Sequence, residues 1–77
     1  MELFSIRLRE LRKNKGLRQK DIAEALEISV TCYAGYEQGA HEPDFKVLCK
    51  IARYFGVSAD YLLGLEDESG SRPHIKP

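Results

Sequence analysis

The sequence predicts an all-α fold, a compact five-helix bundle, and three observations support this prediction. Apolar residues recur at helical spacing in several separate stretches. Glycines suited to stop helices follow most of these stretches. No run of residues alternates between apolar and polar in the way that a half-buried strand does. The length of 77 residues fits one small domain, so we expect short connections and a single core.

The first and fourth helices are predicted over residues 3–14 and 45–55. In the first, Phe4, Leu8 and Leu11 form one apolar stripe at positions i, i+4 and i+7. In the fourth, which begins after the predicted N-cap Asp44, the same rule predicts a core-facing set: Phe45, Leu48, Ile51, Ala52 and Phe55. A short fifth helix is expected over 59–63, between the cap Ser58 and the stop Gly64.

Two further helices are predicted between these, over residues 19–26 and 30–38. Glu27 and Ile28 form the turn that joins them, Ser29 caps the second helix, and Gly39 ends it. Arg18 precedes the helix predicted over residues 19–26. Because an arginine side chain cannot accept a hydrogen bond, the N-cap of this helix must come from the backbone or from a later residue. Two helices crossing over such a turn form a helix-turn-helix, whose second helix can lie in the DNA major groove.

The net charge is zero, with 12 Lys and Arg against 12 Asp and Glu, but the charge is unevenly distributed. Residues 1–20 have seven cations and two acids, a net charge of +5, whereas residues 21–44 have six acids and no Lys or Arg. A neutral protein still binds DNA when its cations face one side, because only cations near phosphate release counterions. The alternative is that these charges only cover solvated helix faces.

Several function classes are not expected. No apolar run is long enough to span a membrane, and the N-terminus lacks the apolar stretch of a signal peptide. The two cysteines, Cys32 and Cys49, do not make a disulfide framework, which favours a cytoplasmic, reduced protein. Together with His41 and His74 they lack metal-ligand spacing, so no metal or other cofactor is expected. Scattered single acids and histidines on a small helical domain also argue against an enzyme. Cys49 is expected to be partly buried.

The order and spacing of four segments match a known family. These are RLRELRKNKGLRQKDIAEAL, the turn and cap Ile28-Ser29, YEQG, and EPDFKVLCKIARYFGVSADYLLG. The chain resembles the bacterial and phage repressor and Cro family of helix-turn-helix regulators, the XRE family, over residues 4–64. The resemblance implies a five-helix domain that binds a double-stranded DNA operator, commonly as a homodimer, and regulates transcription. We expect a repressor, with no identifiable small-molecule effector and with residues 65–77 as a flexible tail.

The resemblance also implies roles for individual residues. Arg18 and Gln19 match phosphate-contacting positions, and Gln19 also braces the second helix of the motif. Residues 30, 31, 34 and 35 match positions that point at base edges, and residues 38, 40 and 41 match positions near the DNA backbone. The implied DNA-binding set is Arg18, Gln19, Ser29, Val30, Thr31, Ala34, Gly35, Gln38 and His41. Arg12 and Glu37 match a buried ion pair that joins the first and third helices in some family members.

The predicted base-facing surface is almost free of strong hydrogen-bonding groups. Thr31 is its main polar candidate, and Val30 and Ala34 are able to touch a thymine methyl group. Gly35 costs a helix roughly 0.5–1 kcal/mol relative to alanine. Either the backbone approaches DNA or a partner closely there, or the position is a tolerated weak spot. The apolar base-facing surface and the acidic segment also leave open a second class of function. The protein would then be a protein-interaction module, such as an antitoxin or antirepressor partner, that binds through residues 30–41.

Adjacent apolar and aromatic residues bear on packing and assembly. Tyr61, Leu62 and Leu63 are consecutive and cannot all face inward, so we predict that they form the dimer contact. Tyr33 and Tyr36 lie on the side of their helix that faces the core. Packing, with each hydroxyl in contact with water, is therefore the better interpretation of these two tyrosines than stacking on bases.

Overall fold

The computed structural model describes residues 2–67 and contains five helices. They are α1 (Glu2–Asn14), α2 (Gln19–Leu26), α3 (Val30–Gln38), α4 (Phe45–Phe55) and α5 (Ala59–Leu62). All regular secondary structure in this range is helical, which confirms the predicted fold class. Helix α1 begins one residue earlier than predicted, and α5 ends one residue earlier. No helix among the described residues is long and apolar enough to cross a membrane.

The five helices enclose one hydrophobic core. Helix α3 packs on α1 and α2, α1 also packs on α5, and α4 contacts both α2 and α5. The most extensive contacts therefore form a closed ring in which each helix has two main neighbours. The largest fully buried side chains come from all five helices: Phe4, Leu8, Ile22, Leu26, Tyr33, Ile51 and Leu62.

Side-chain acceptors mark the beginnings of α2, α3, α4 and α5. The hydroxyl of Ser29 accepts from the backbone N–H of Cys32 at 3.0 Å, and Asp44 and Ser58 cap α4 and α5 in the same way. At α2 the missing acceptor comes from a later residue, because Asp21 Oδ2 accepts the backbone N–H of Arg18 at 2.9 Å. This is the carboxylate half of a capping box, and the arginine side chain contributes no acceptor to it.

A residue with left-handed backbone conformation follows each of the five helices. Four of these residues are glycines, whereas the fifth, after α2, is Glu27 with a φ of 60°. Ile28 N–H then donates to the Ala23 carbonyl at 3.0 Å, which completes the same reversal that a glycine would make. For a side chain with a Cβ this conformation costs about 1–2 kcal/mol, so the turn of the helix-turn-helix is strained.

Replacing Glu27 with glycine is therefore expected to stabilise the protein. We expect Glu27→Gly to raise the free energy of unfolding by about 1 kcal/mol, because the strain exceeds the entropy that glycine adds to the unfolded chain. Urea unfolding at constant protein concentration measures this change. The matched control is Glu24→Gly, three residues earlier and inside the helix, which should lower stability by about 0.5–1 kcal/mol. A loss of stability in both variants would contradict the strain.

Phe45 and Cys49 are not where the sequence predicts them. The apolar pattern of α4 assigns Phe45 to the core, but its side chain is 88% exposed, because it is the first residue of α4 and lies beyond the end of the core. Its ring forms one wall of an apolar groove, the Phe45 groove, lined by Phe4, Glu42, Pro43, Phe45, Leu48 and Leu63. Cys49, predicted to be partly buried, is exposed.

The segment predicted as a dimer contact is only partly available. Leu62 is 0% exposed because it fills the core between α1 and α4, so its assignment to the dimer contact is wrong. Tyr61 is half-buried beneath the Arg7 guanidinium, which lies 4.1 Å from the centre of its ring and donates to its backbone carbonyl. Leu63 is half-buried and lines the Phe45 groove.

The first residues of the predicted tail contact the helical domain. The Ser58 hydroxyl donates to a Glu66 carboxylate oxygen at 2.8 Å, and Arg7 Nη1 donates to the Glu66 carbonyl at 2.7 Å. Residues 68–77, the rest of the predicted tail, lie outside the described residues, as does His74.

Candidate nucleic-acid interface

Helix α3 has one buried side and one accessible side. Tyr33, Tyr36 and Glu37 are buried against the other helices. On the opposite side Val30, Thr31 and Gln38 are exposed and Ala34 is half-buried. The sequence-predicted base-facing residues thus lie together on the outer surface, with the exception of Gly35, which another side chain covers. We call the surface formed by Val30, Thr31, Ala34 and Gln38 the outer face of α3.

A buried carboxylate fixes the position of α3. Glu37 is 2% exposed and accepts two hydrogen bonds from Arg12 of α1, from Nε at 2.6 Å and from Nη2 at 3.1 Å. Gln19 of α2 donates to it at 3.2 Å, and the Tyr33 hydroxyl donates at 2.5 Å. Arg12 also donates to the Leu17 carbonyl at 2.8 Å, in the connection between α1 and α2. One carboxylate thus ties three helices together.

The protonation states of this cluster follow from its contacts. Burial acts to raise the pKa of Glu37, but hydrogen bonds from Arg12, Tyr33 and Gln19 outweigh it and hold the pKa below its ordinary value. Burial, together with the bond to the Glu37 carboxylate, raises the pKa of Tyr33 far above its ordinary range. The carboxylate is therefore charged, and the phenol stays protonated as a donor. The Tyr33 hydroxyl donates its hydrogen bond to Glu37, so the prediction that this hydroxyl contacts water is wrong.

Tyr33 and Arg9 also contact Glu37 and help to hold α3 in place, a role that the sequence pattern did not predict for either residue. The phenol of Tyr33 lies four residues before Glu37, one turn away on the same face of α3, and this spacing was a usable signal. Arg9 Nη2 donates to the Glu37 backbone carbonyl at 2.9 Å, and its side chain is partly exposed. No local sequence pattern indicates the hydrogen bond between Arg9 and Glu37, since 28 residues separate the two partners.

The beginning of α2 presents an exposed cation. The Arg18 side chain is 71% exposed and pairs with Asp21 at 3.3 Å. The side-chain and backbone hydrogen bonds from Arg18 lower the pKa of Asp21. An exposed pair of this kind is weak, so the guanidinium is free to exchange the carboxylate for a phosphate. Gln19, half-buried, uses its amide to reach Glu37, which matches the bracing role that the resemblance implied.

Gly35 and His41 are in direct contact. His41, from the connection between α3 and α4, lies over Gly35, so a Cβ built on Gly35 would be only 2.1 Å from the His41 Cε1 atom. Its Nε2 atom is 3.1 Å from the Cys32 carbonyl oxygen. The close approach that Gly35 allows is therefore made by a side chain of the same protein. Gly35 itself is buried, so its predicted contact with base edges is wrong.

The acidic segment of residues 21–44 is less negative at its surface than its sequence indicates. Glu37 is buried with Arg12, and Asp21 is bonded to Arg18, so the exposed negative charge near α3 is smaller than the count of −6. The exposed acids of this segment are Glu24, Glu27, Glu42 and Asp44. The segment charge alone is thus a poor guide to the surface that a ligand meets.

A short helix with an accessible outer face, supported by α2 across a tight turn, defines a helix-turn-helix domain. Residues 8–62 match the model of the family described as "Helix-turn-helix", and the chain belongs to this family. This confirms the family indicated by the sequence pattern.

Relatives and solved structures agree with this assignment. An uncharacterized HTH-type transcriptional regulator of Bacillus subtilis (strain 168), YqaE, is 44% identical over 61 residues, which are 79% of this chain and 53% of that protein. The chain spans about half the length of the curated relatives it matches.

Two solved structures show the same fold. A transcriptional regulator from Listeria innocua superimposes with a TM-score of 0.77 at 37% identity, over 84% of this chain and 61% of that one. The P22 c2 repressor, in complex with the synthetic operator 9T, superimposes with a TM-score of 0.75 at 26% identity, over 80% of this chain and 94% of that one.

Proposed function

We propose that this protein is a cytoplasmic, sequence-specific DNA-binding regulator of transcription, a repressor that acts as a homodimer. The observation that carries the proposal is the outer face of α3, which is accessible while its other side is tied to α1 and α2 through Glu37. A preformed helix of this kind enters a major groove without a cost of ordering. The similarity to a repressor whose structure contains an operator supports the same function.

The chemistry of the outer face suggests few direct base contacts. The Thr31 hydroxyl is able to donate to or accept from a base edge, and Val30 and Ala34 suit a thymine methyl group. Arg18 would contact phosphate beside them, and Gln38 is exposed one turn after Ala34. Specificity then depends partly on DNA shape and deformability, since direct contacts alone are few.

The proposed dimer uses the Phe45 groove rather than the buried Leu62. Two further exposed apolar residues, Leu3 and Leu65, lie close to the groove residue Leu63, because the Leu3 side chain approaches Gly64 and Leu65 follows Gly64 in the chain. A second copy packed on this groove would remove the exposed Phe45 ring from water. The two copies of α3, which act as recognition helices, would then contact half-sites about 34 Å apart.

Fluorescence anisotropy tests the DNA-binding function. We compare the DNA upstream of the encoding gene with a shuffled duplex of equal composition, at two salt concentrations. Specific binding predicts tighter association with the upstream DNA and a fall of both affinities as salt rises. Thr31→Val, which keeps the shape and loses the hydroxyl, should reduce the preference for upstream DNA roughly two- to tenfold. Thr31→Ser retains the hydroxyl and serves as its control.

Arg18→Ala separates phosphate contacts from base contacts. It should weaken binding to both duplexes by a similar factor and reduce the slope of log affinity against log salt by about 1 for each protomer, so by about 2 for the dimer. Wild-type protein that binds neither duplex at low salt would refute the proposal. It would favour the protein-interaction module, with the surface of residues 30–41 as the place to search for a partner.

A further inference from the structure

We propose that His41 supplies the base contact that Gly35 cannot make, so that a side chain from the connection between α3 and α4 determines specificity at this point. The inference rests on the proposed DNA-binding function and adds a role to a residue for which only contact with the DNA backbone was expected. It makes Gly35 and His41 a single functional unit, since the ring can lie where it does only because Gly35 has no Cβ.

The position of the ring supports this role. Gly35 follows Thr31 by one turn and precedes Gln38 by three residues, so its Cα lies on the same side of α3 as the outer face. Gly35 is nevertheless buried, because the Nδ1–Cε1–Nε2 edge of His41 approaches within 2.1–2.8 Å of where a Cβ would be. His41 itself is exposed. The surface presented beside Thr31 is therefore an imidazole.

Two further contacts fix the orientation of the ring. A backbone carbonyl only accepts hydrogen bonds, so the 3.1 Å contact with the Cys32 oxygen places a proton on His41 Nε2. The ring also packs edge-to-face on Tyr36, with 5.0 Å between centroids and an angle of 75°. An orientation fixed before binding reduces the entropy lost when a base contact forms.

The chemistry of the fixed ring indicates the bases that it would recognise. When the ring is neutral and Nε2 donates to the Cys32 carbonyl, Nδ1 is its one acceptor. In the major groove the donors are the exocyclic amino groups of adenine N6 and cytosine N4. We therefore infer that His41 favours a base pair that presents one of these amino groups at a single position of each half-site.

A thermal double-mutant cycle tests whether the ring occupies the space over Gly35. Alanine is the better helix former, so Gly35→Ala should raise Tm by about 2–8 °C when His41→Ala is also present. In the wild-type background the added Cβ collides with the ring, and Tm should stay the same or fall. An equal rise in both backgrounds would show that the ring does not occupy this space and would overturn the inference.

Selection from a pool of randomised duplexes tests the contact itself. We select binding sites with wild-type protein and with the His41→Ala, Gly35→Ala and Gln38→Ala variants. Wild-type sites should contain one position with a preference for adenine or cytosine that His41→Ala removes. Gly35→Ala deletes no polar group, yet it should remove the same preference because it displaces the ring. Gln38→Ala, on the same face, should leave that position unchanged.

The outcomes separate this inference from the proposed function. If wild-type protein selects no sequence and binds no duplex, the proposed function itself fails. If it selects sites but the His41 and Gly35 variants select the same ones, the function stands and the inference fails. A uniform loss of affinity in His41→Ala, with base preferences unchanged, would mean a contact with phosphate only and would also overturn the inference.

Discussion

Replacement of Glu37 with glutamine is expected to lower the free energy of unfolding by about 3–5 kcal/mol, far more than the loss of an exposed ion pair. The substitution is nearly isosteric but leaves the Arg12 guanidinium, whose side chain is only 14% exposed, without its carboxylate. It also weakens the acceptor for Tyr33 and Gln19. Small domains have stabilities of about 5–15 kcal/mol, so this loss is a large fraction of the total.

Urea unfolding monitored by circular dichroism measures the effect, and two variants provide its controls. Arg18→Ala breaks the exposed pair with Asp21 and should cost less than about 1 kcal/mol. The double variant Arg12→Met with Glu37→Gln also removes the unpaired charge of Arg12 and should be more stable than Glu37→Gln alone. A Glu37→Gln protein that is as stable as Arg18→Ala would show that the carboxylate does not tie the helices together.

The Glu37→Gln variant also shows how the stability that the Glu37 carboxylate contributes depends on pH. The pKa of Glu37 is lower in the folded protein than its ordinary value of 4.5, so the carboxylate contributes stability above that value. The contribution is lost as pH falls through the folded pKa. The difference in unfolding free energy between wild type and Glu37→Gln should therefore be constant near neutral pH and shrink progressively below about pH 4.5. A difference that grew on acidification would contradict the lowered pKa.

Local patterns predicted the helices because helix boundaries depend on residues close in sequence. Ser29, Asp44 and Ser58 each accept a hydrogen bond from the third residue after them, and the fold class follows from such signals and from apolar spacing. Burial at the ends of helices depends on which other helices are near. Phe45 matches the core pattern of α4 but extends past its neighbours, whereas Leu62 fills a space that α1 and α4 leave.

The candidate interface was predictable only where it follows the helical period. The outer face of α3 follows from the spacing of Val30, Thr31 and Ala34. The position of His41 over Gly35 does not, because it depends on the path of the chain after Gly39. Gly35 itself was the available signal, since an unexplained glycine inside a helix indicates close approach of another group.

Substitution of Phe45 with aspartate is expected to produce the largest effect on DNA binding, by preventing dimerisation. The ring is 88% exposed, so its removal costs the folded protomer little buried area, and an acidic residue suits the first turn of α4. In a dimer packed through the Phe45 groove, however, the substitution would bury a charge in an apolar contact. Sedimentation velocity over a range of concentrations should show a dimer for wild type and a monomer for the variant.

The loss of the dimer has a calculable consequence for DNA affinity. Two linked recognition helices bind a two-half-site operator with an avidity gain of about 10²–10⁴, which a monomer loses. Phe45→Asp should therefore weaken binding to the full operator by this factor while leaving its affinity for a duplex with one half-site unchanged. Tyr54→Asp, a charge placed on the opposite side of the same helix, is the matched control and should leave both affinities near wild type.

The affinity of Phe45→Asp for a duplex with one half-site shows whether weaker operator binding results from loss of the dimer or from misfolding. Because the Phe45 groove is separate from the Glu37 contacts that position α3, a protomer that is merely monomeric keeps its recognition surface, whereas a misfolded one loses affinity for both duplexes. Full affinity for the half-site together with a loss on the operator would place the dimer contact in the Phe45 groove. A variant that stays dimeric, with both affinities intact, would mean that the two copies meet elsewhere.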